Sequence, residues 1–358
     1  MFTSGGSIKN GCLEGDAVMS DSTEFNTRRR QLISRAMAVG TAGMFGMNCR
    51  ATAAEATLET TRIRITHAPS ICTAPQYLAE ELLRLEGFTE VEYLPLGTRN
   101  GPLALAEGRV DISMWDLPAL MPHLDAGRSI LLLAGVHAGC YELFVNEHVR
   151  AFRDLKGKTV AIQFFGGGDH VLLSSMLAYV GMNPQRDIKW IVGENLFAAM
   201  NLFVDGKADA FFGYGQQPAE LRARKIGRII VDTAQDRPWS QYFCCMVAAN
   251  REFVQRNPVA TKRVLRAILK AADMCANDPL GVARFLSDKL YEPRFQIGLE
   301  VMKRLPYTRW REAEPEDSLR FHALRLHEVG MIKTSPQKLI AQSTDWRFLN
   351  ELRQELKA

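Results

Sequence analysis

No apolar stretch of about 20 residues, the length a membrane-spanning helix needs, occurs in this 358-residue sequence. The mature chain is therefore not expected to span a bilayer. Neither sign of charge dominates: 44 Lys and Arg oppose 40 Asp and Glu. Residues 1–54 hold six of the former and four of the latter, which leaves 38 basic against 36 acidic side chains. Such a balance lacks the electrostatic footprint of a nucleic-acid or anionic-surface binder. The seven cysteines include no C-x-x-C spacing and no Cys/His run of the kind that folds around zinc. No metal or other cofactor is expected, and no Ser/His/Asp arrangement at credible spacing suggests catalysis. Five cysteines lie beyond residue 54, an odd number. Cys244 and Cys245 are neighbours in an apolar run, and adjacent strand residues point to opposite faces, so these read as buried free thiols.

What is present begins with an address. Thr27-Arg28-Arg29-Arg30-Gln31-Leu32-Ile33 precedes a weakly apolar segment over residues 36–47, followed by Ala51, Ala53, Ala54 and Ala56. A basic region, a short apolar region and a small-residue exit make a secretory signal, and the paired arginines resemble a twin-arginine export signal. Arg28, Arg29 and Arg30 are its signal residues, and cleavage is expected between residues 51 and 57. Residues 1–18 read as an upstream extension. Gly46-Met47-Asn48-Cys49 departs from a lipobox.

With 358 residues the chain can bury two cores. From residue 62 short β-rich runs alternate with helical ones, the pattern of mainly parallel α/β layers flanked by helices. Residues 62–66 alternate as a strand, and Thr73-Ala-Pro-Gln76 reads as a capping box opening a helix through Leu78, Leu82 and Leu85. Strands are expected at 91–96, 110–114, 130–136 and 143–146. A second unit then runs as strand 159–163, helix 169–180, strand 188–192, helix 194–203 and strand 208–212, with strands near 229–231 and 243–248. After Asn250 the character becomes helical over 258–275, 279–290, 294–303 and 318–329.

Two segments echo each other. Ala106-Glu107-Gly108-Arg109-Val110-Asp111-Ile112 and Val204-Asp205-Gly206-Lys207-Ala208-Asp209-Ala210 each read as a helix ending at a left-handed glycine, then a basic residue and a strand opening on an aspartate. Their equivalent positions in successive units favour two similarly built lobes.

These features resemble the nitrate/sulfonate/thiamine-precursor group of periplasmic solute-binding proteins, the NMT1/THI5-like group, over about residues 62–276. The phrase Asp154-Leu155-Lys156-Gly157-Lys158-Thr159-Val160-Ala161, with Gly166-Gly167-Gly168 after its strand, is its most specific part. The resemblance implies a two-lobed α/β periplasmic-binding-protein fold of type II with a helical C-terminal portion. The expected division is signal 1–54, first lobe 55–147, second lobe 148–240, and completion of the first lobe with the C-terminal helices over 241–358, with crossings near residues 146–150 and 237–242. It also implies the extracytoplasmic substrate-binding component of an ABC importer, a periplasmic monomer whose partners are a permease, an ATPase and a small-molecule ligand. Two alternatives stand beside it. One is a ligand-sensing subunit of a membrane receptor. The other is an enzyme similar to the thiamine-pyrimidine-precursor synthases, whose cysteine-rich run is here reduced to Cys244-Cys245.

Open parallel α/β sheets bind ligands beyond the carboxyl ends of their strands. The loops in that position supply the candidate ligand-binding residues: Ser70 and Thr73, Thr98 and Arg99, Trp115 and Asp116, His137 and Tyr141. From the second unit come Phe165, Gly167, Gly168, Asp169 and His170, then Asn195, and finally Tyr214 and Gln216. Trp115 offers a stacking surface and Asp116 an acceptor for an N–H donor. Asp169 is read as a ligand contact opposite Trp115 or as a helix cap. His67 with Cys72, and His137 with Cys140, make conceivable catalytic pairs, against the commoner structural role of such residues. Helix N-termini suit a sulfonate or other oxyanion. The one basic side chain in these loops, Arg99, set against Asp116, Asp169 and Glu194, favours a neutral or weakly basic aromatic compound such as a pyrimidine-like heterocycle.

Overall fold

The computed structural model describes residues 56–67 and 70–356. The expected signal with Arg28, Arg29 and Arg30 lies outside the described residues. The first lobe opens on β1 (Arg62–Thr66), whose alternation buries Ile63 and Ile65 completely and leaves Arg62 exposed. It continues through α1 (Ala74–Leu85), β2 (Glu90–Leu94), α2 (Gly97–Ala106), β3 (Ile112–Asp116), α3 (Leu117–Asp125) and β4 (Ile130–Ala138). The second lobe contains β5 (Tyr141–Val145), β6 (Thr159–Ile162), α4 (Gly168–Tyr179), β7 (Lys189–Val192), α5 (Leu196–Val204), β8 (Ala210–Tyr214), α6 (Gln216–Arg224) and β9 (Arg228–Asp232). The chain then returns as β10 (Phe243–Asn250), followed by α7 (Arg251–Arg256), α8 (Pro258–Asn277), α9 (Pro279–Asp288), α10 (Phe295–Arg304), α11 (Pro315–Glu328), α12 (Pro336–Ser343) and α13 (Arg347–Glu355).

The second lobe's sheet has the order β7-β6-β8-β5-β9. In the first lobe the order β3-β10-β4 is extended by the pair β1-β2, because Asp111 donates its N–H to Arg64 O at 2.9 Å and accepts the Arg64 N–H at 2.8 Å. Each sheet carries one strand antiparallel to both its neighbours, β10 in the first and β5 in the second. The reason is the crossing. Strand β4 delivers the chain to the cleft, so β5, which starts there, must run away from it. Strand β10 does the same on the return.

Pairing of β5 with β8 and β9 corrects the expected boundary. The first crossing is residues 139–140, not 146–150, and the second is residues 233–242. An apolar run such as Tyr141–Val145 carries no mark of which sheet it joins. The two crossings pack on each other: a Cβ at Gly139 (φ 53°) would lie 2.3 Å from Ala234 Cα, and Thr233 Oγ1 accepts the N–H groups of Cys140 and Tyr141 at 3.2 and 2.9 Å.

The echoed segments are equivalent in three dimensions. Gly108 and Gly206 have φ of 69° and 71°. Asp209 donates its N–H to Thr159 O at 2.8 Å and accepts from Thr159 N at 2.9 Å, as Asp111 does with Arg64. Asn250 and Asn146 donate their N–H groups to Asp111 O and Asp209 O at 2.9 and 3.0 Å.

Two local expectations fail. Thr73 caps α1 without a side-chain bond. Gln76 turns inward instead, donating to Thr66 O at 2.9 Å and accepting from Met114 N at 2.9 Å, because a buried amide between two strands must satisfy both ends. The C-terminal helices also serve both lobes. Residues of α11 pack on α4, with Ser175 Oγ 3.2 Å from His322 Nδ1, and Glu300 of α10 accepts from Arg222 Nε of α6 at 2.7 Å.

Candidate functional site

The lobes meet where β3 and β8 end and β5 begins. Ser70, Cys72, Thr73, Met114, Trp115, Asp116, Cys140, Tyr141, Tyr214 and Cys245 enclose a cavity of about 20 Å³, room for one water-sized group. Six of these residues, Ser70, Thr73, Trp115, Asp116, Tyr141 and Tyr214, are among those read from the sequence. Tyr141 is fully buried, its ring stacked on Phe212 at 5.0 Å and tilted against Tyr214 at 4.8 Å. Trp115 packs its ring over Gly101, and its buried Nε1 has no hydrogen-bond partner among the described residues.

Asp116 is the polar centre. Its Oδ2 accepts from Tyr141 Oη at 3.1 Å and from Ala119 N, in the first turn of α3, at 3.3 Å. Gly168, the first residue of α4, approaches the same oxygen from the second lobe. The residue retains some exposure, but its carboxyl end is enclosed, and burial pushes its pKa up to about 6 against the lowering effect of the Tyr141 hydrogen bond.

The remaining candidates fall elsewhere. Asp169 does not line the cavity and does not cap α4, whose cap is Gly167. Its Oδ2 accepts from Gln163 N at 2.5 Å, while the buried Oδ1 has no partner among the described residues. Burial raises this carboxyl to about 7. His170 is turned onto Phe165 and Trp190, at ring distances of 5.2 and 4.9 Å, and accepts from Gly166 N. Burial lowers its pKa to about 4. Phe165 is exposed. Asn195 is exposed and caps α5 through Ala198 N, and Gln216 is buried in the first turn of α6, outside the cavity lining. Thr98 and Arg99 lie in the first turn of α2 rather than a loop. The Arg99 guanidinium stacks on Phe164 of the other lobe, 4.6 Å from its centroid.

His137 lies behind the cavity, fully buried, with Nδ1 3.3 Å from both Ala138 O and Gly139 O. Around it the structure gathers what spacing kept apart. Cys72 Sγ is 3.9 Å from Cys245 Sγ, and Cys140 Sγ is 2.7 Å from Cys244 Sγ. The expectation that Cys244 and Cys245 diverge fails because β10 bulges between Phe243 and Cys245, and a bulge re-aims side chains. Burial disfavours a charge on His137, yet the adjacent Cys245 and Cys72 thiols outweigh it and hold the imidazole well above its usual pKa. His67 takes no part, since its ring lies edge-on to Tyr77 and Tyr291.

Two α/β lobes joined by two short crossings, with a cleft at the carboxyl ends of their strands, make this a protein of the periplasmic-binding-protein fold. The chain belongs to the NMT1/THI5-like family, whose model matches residues 67–281. Among solved structures it is similar to the periplasmic nitrate-binding protein NrtA from Synechocystis PCC 6803, at 18% identity over 84% of this chain and 90% of that one, with a TM-score of 0.70. It is also similar to the alkanesulfonate-binding protein SsuA from Xanthomonas axonopodis pv. citri bound to MOPS, at 17% identity, 81% and 100% coverage and a TM-score of 0.67. The Candida albicans CA3427 gene product, described as having the generic periplasmic binding protein fold, matches at 14% identity, 79% and 96% coverage and a TM-score of 0.65. No curated protein matches the chain in sequence.

Proposed function

We propose that this protein is the extracytoplasmic substrate-binding component of an ABC importer, exported to the periplasm, and that it binds a small aromatic molecule between its lobes without converting it. The observation that carries the ligand class is the cavity lining: Trp115, Tyr141 and Tyr214 supply rings, Asp116 supplies an acceptor, and no basic side chain is among the lining residues. The start of α4, where an oxyanion would dock, already faces the Asp116 carboxylate. A nitrate or sulfonate would have to sit beside that charge. A neutral or weakly basic heterocycle with an N–H donor complements it instead. The nitrate and sulfonate binders named above support the transport role through their shared fold, and not the ligand. Because the cavity is about 20 Å³, entry of a ring requires the lobes to part, as hinged binding proteins do.

A thermal-shift screen tests this. Pyrimidines and aromatic amines should raise the melting temperature, with about 2.7 kcal/mol of added stability at 100 times Kd, and mass spectrometry should return the bound compound unchanged. Stabilisation by nitrate or sulfonates alone would overturn the ligand class, and chemical conversion of the bound compound would overturn the non-enzymatic reading.

A further inference from the structure

We propose that Cys72, His137 and Cys245 bind one zinc(II) ion at the wall of the interlobe cavity. The three come from separate parts of the fold. Cys72 lies in the single turn after β1, His137 near the end of β4, and Cys245 on β10 directly opposite His137 in the antiparallel pair. Residues directly opposite on such a pair project from the same face.

The geometry suits the ion. One ring nitrogen and the two sulfurs lie within 4.8 Å of one another, and all three residues are buried. With Zn–S bonds of about 2.3 Å, two sulfurs of a tetrahedron stand about 3.8 Å apart, and Cys72 Sγ and Cys245 Sγ are 3.9 Å apart. A nitrogen and a sulfur on one tetrahedral zinc stand about 3.6 Å apart, so the imidazole has at most about 1.2 Å to close. Its orientation is already set. Nδ1 faces the carbonyls of Ala138 and Gly139, and the fully buried Nε2 has no hydrogen-bond partner among the described residues. That carbonyl contact is the outer support that metal-binding histidines use to present the other nitrogen.

Charge selects the class of metal. Two thiolates and a neutral imidazole around a divalent ion leave no net charge, which a site this buried requires, and sulfur with imidazole suits zinc(II). Binding expels two protons, left on the thiols and imidazole in the free site, to solvent; no electron moves. Cys72 and Cys245 also line the cavity, so the fourth position faces it. A water molecule, or a donor atom of a captured molecule, completes the tetrahedron there.

The test uses the full-length chain, purified and reduced. Zinc added and then dialysed should remain at one ion per chain, with about two protons released. Cobalt(II) in its place should show thiolate-to-metal charge-transfer absorption. Cys72→Ser and Cys245→Ser should each abolish retention and His137→Ala should weaken it at least tenfold, whereas Cys275→Ser, a buried cysteine outside the cluster, should keep one ion. Wild-type protein that retains no zinc and gives no cobalt–thiolate band overturns the proposal, whatever the variants do. Retention in Cys72→Ser with loss in Cys140→Ser also overturns it, since the ion would then sit on Cys140, Cys244 and Cys245.

Discussion

Asp116 on the first lobe lies so close to Gly168 on the second that a Cβ at the glycine would stand 1.8 Å from its Oδ2 and 2.5 Å from Tyr141 Oη. The closed cleft therefore depends on the absence of a side chain at residue 168. We predict that Gly168→Ala destabilises closure by about 1–3 kcal/mol, the usual cost of overpacking. Ligand affinity should fall roughly 5- to 150-fold, and small-angle scattering should show a more open particle. Unchanged affinity with an unchanged radius of gyration would refute the contact.

Asp169 should contribute stability that is lost as the pH rises from 5 to 8, opposite in sign to His170, whose lowered pKa favours the folded state as the pH rises toward 6.5. Burial raises Asp169 to about 7, above the ordinary value near 3.9. The folded state thus binds a proton that the unfolded chain has lost, and this contribution falls with pH until the folded group has ionised. The effect should be of order 2–4 kcal/mol. Asp169→Asn keeps an acceptor for Gln163 N, so in urea unfolding the stability of the wild type relative to this variant should fall across that range. A difference between the two proteins that stays constant with pH would contradict the assignment.

Tyr214 and Trp115 should separate under mutation. Tyr214 lines the cavity while retaining some exposure, so Tyr214→Ala should weaken ligand binding by roughly 2- to 12-fold through a lost ring contact, with a small change in melting temperature. Trp115 is packed in the first lobe's core over Gly101. Trp115→Ala should lower stability by about 3–5 kcal/mol. Calorimetry of the free proteins beside ligand titration distinguishes the two, and equal melting temperatures would show that Trp115 is not a packing residue.

Arg222 holds a buried carboxylate. It pairs with Glu142, which is 5% exposed, and with Glu300 of α10 at 2.7 Å. Removing it leaves Glu142 enclosed, with Arg304 at 3.9 Å its one remaining cationic partner among the described residues. Arg222→Leu should cost about 3 kcal/mol, and Arg222→Leu with Glu142→Gln should recover part of it. A single variant as stable as the parent would show that water already satisfies Glu142.

The strand and helix order was legible because apolar periodicity and glycine stops are local. The echo around Gly108 and Gly206 even revealed the two-lobe repeat, since both aspartates make the same backbone bonds. Partition between sheets was not legible: the crossing at Gly139 and Cys140 is too short to differ in composition from a turn. The cavity was half legible. Six of the residues at the strand ends meet at one cavity, but which loop faces inward depends on how the lobes meet, and this leaves Asp169, His170 and Asn195 outside its lining. The cysteine cluster was hidden, because Cys72, His137 and Cys245 are brought together only by tertiary packing and a bulge in β10.

The contact between the two crossings at Gly139 and Ala234 fixes a pivot. In a rigid rotation every group travels an arc proportional to its distance from the axis, so Cys140, Tyr141 and Cys244, at or beside the crossings, move least as the lobes part. Gly168, on the helix that presses against the far lobe, swings away from Asp116. If the lobes part as proposed, the sulfur-rich corner should serve as a near-stationary fulcrum and the glycine-started helix as the moving jaw.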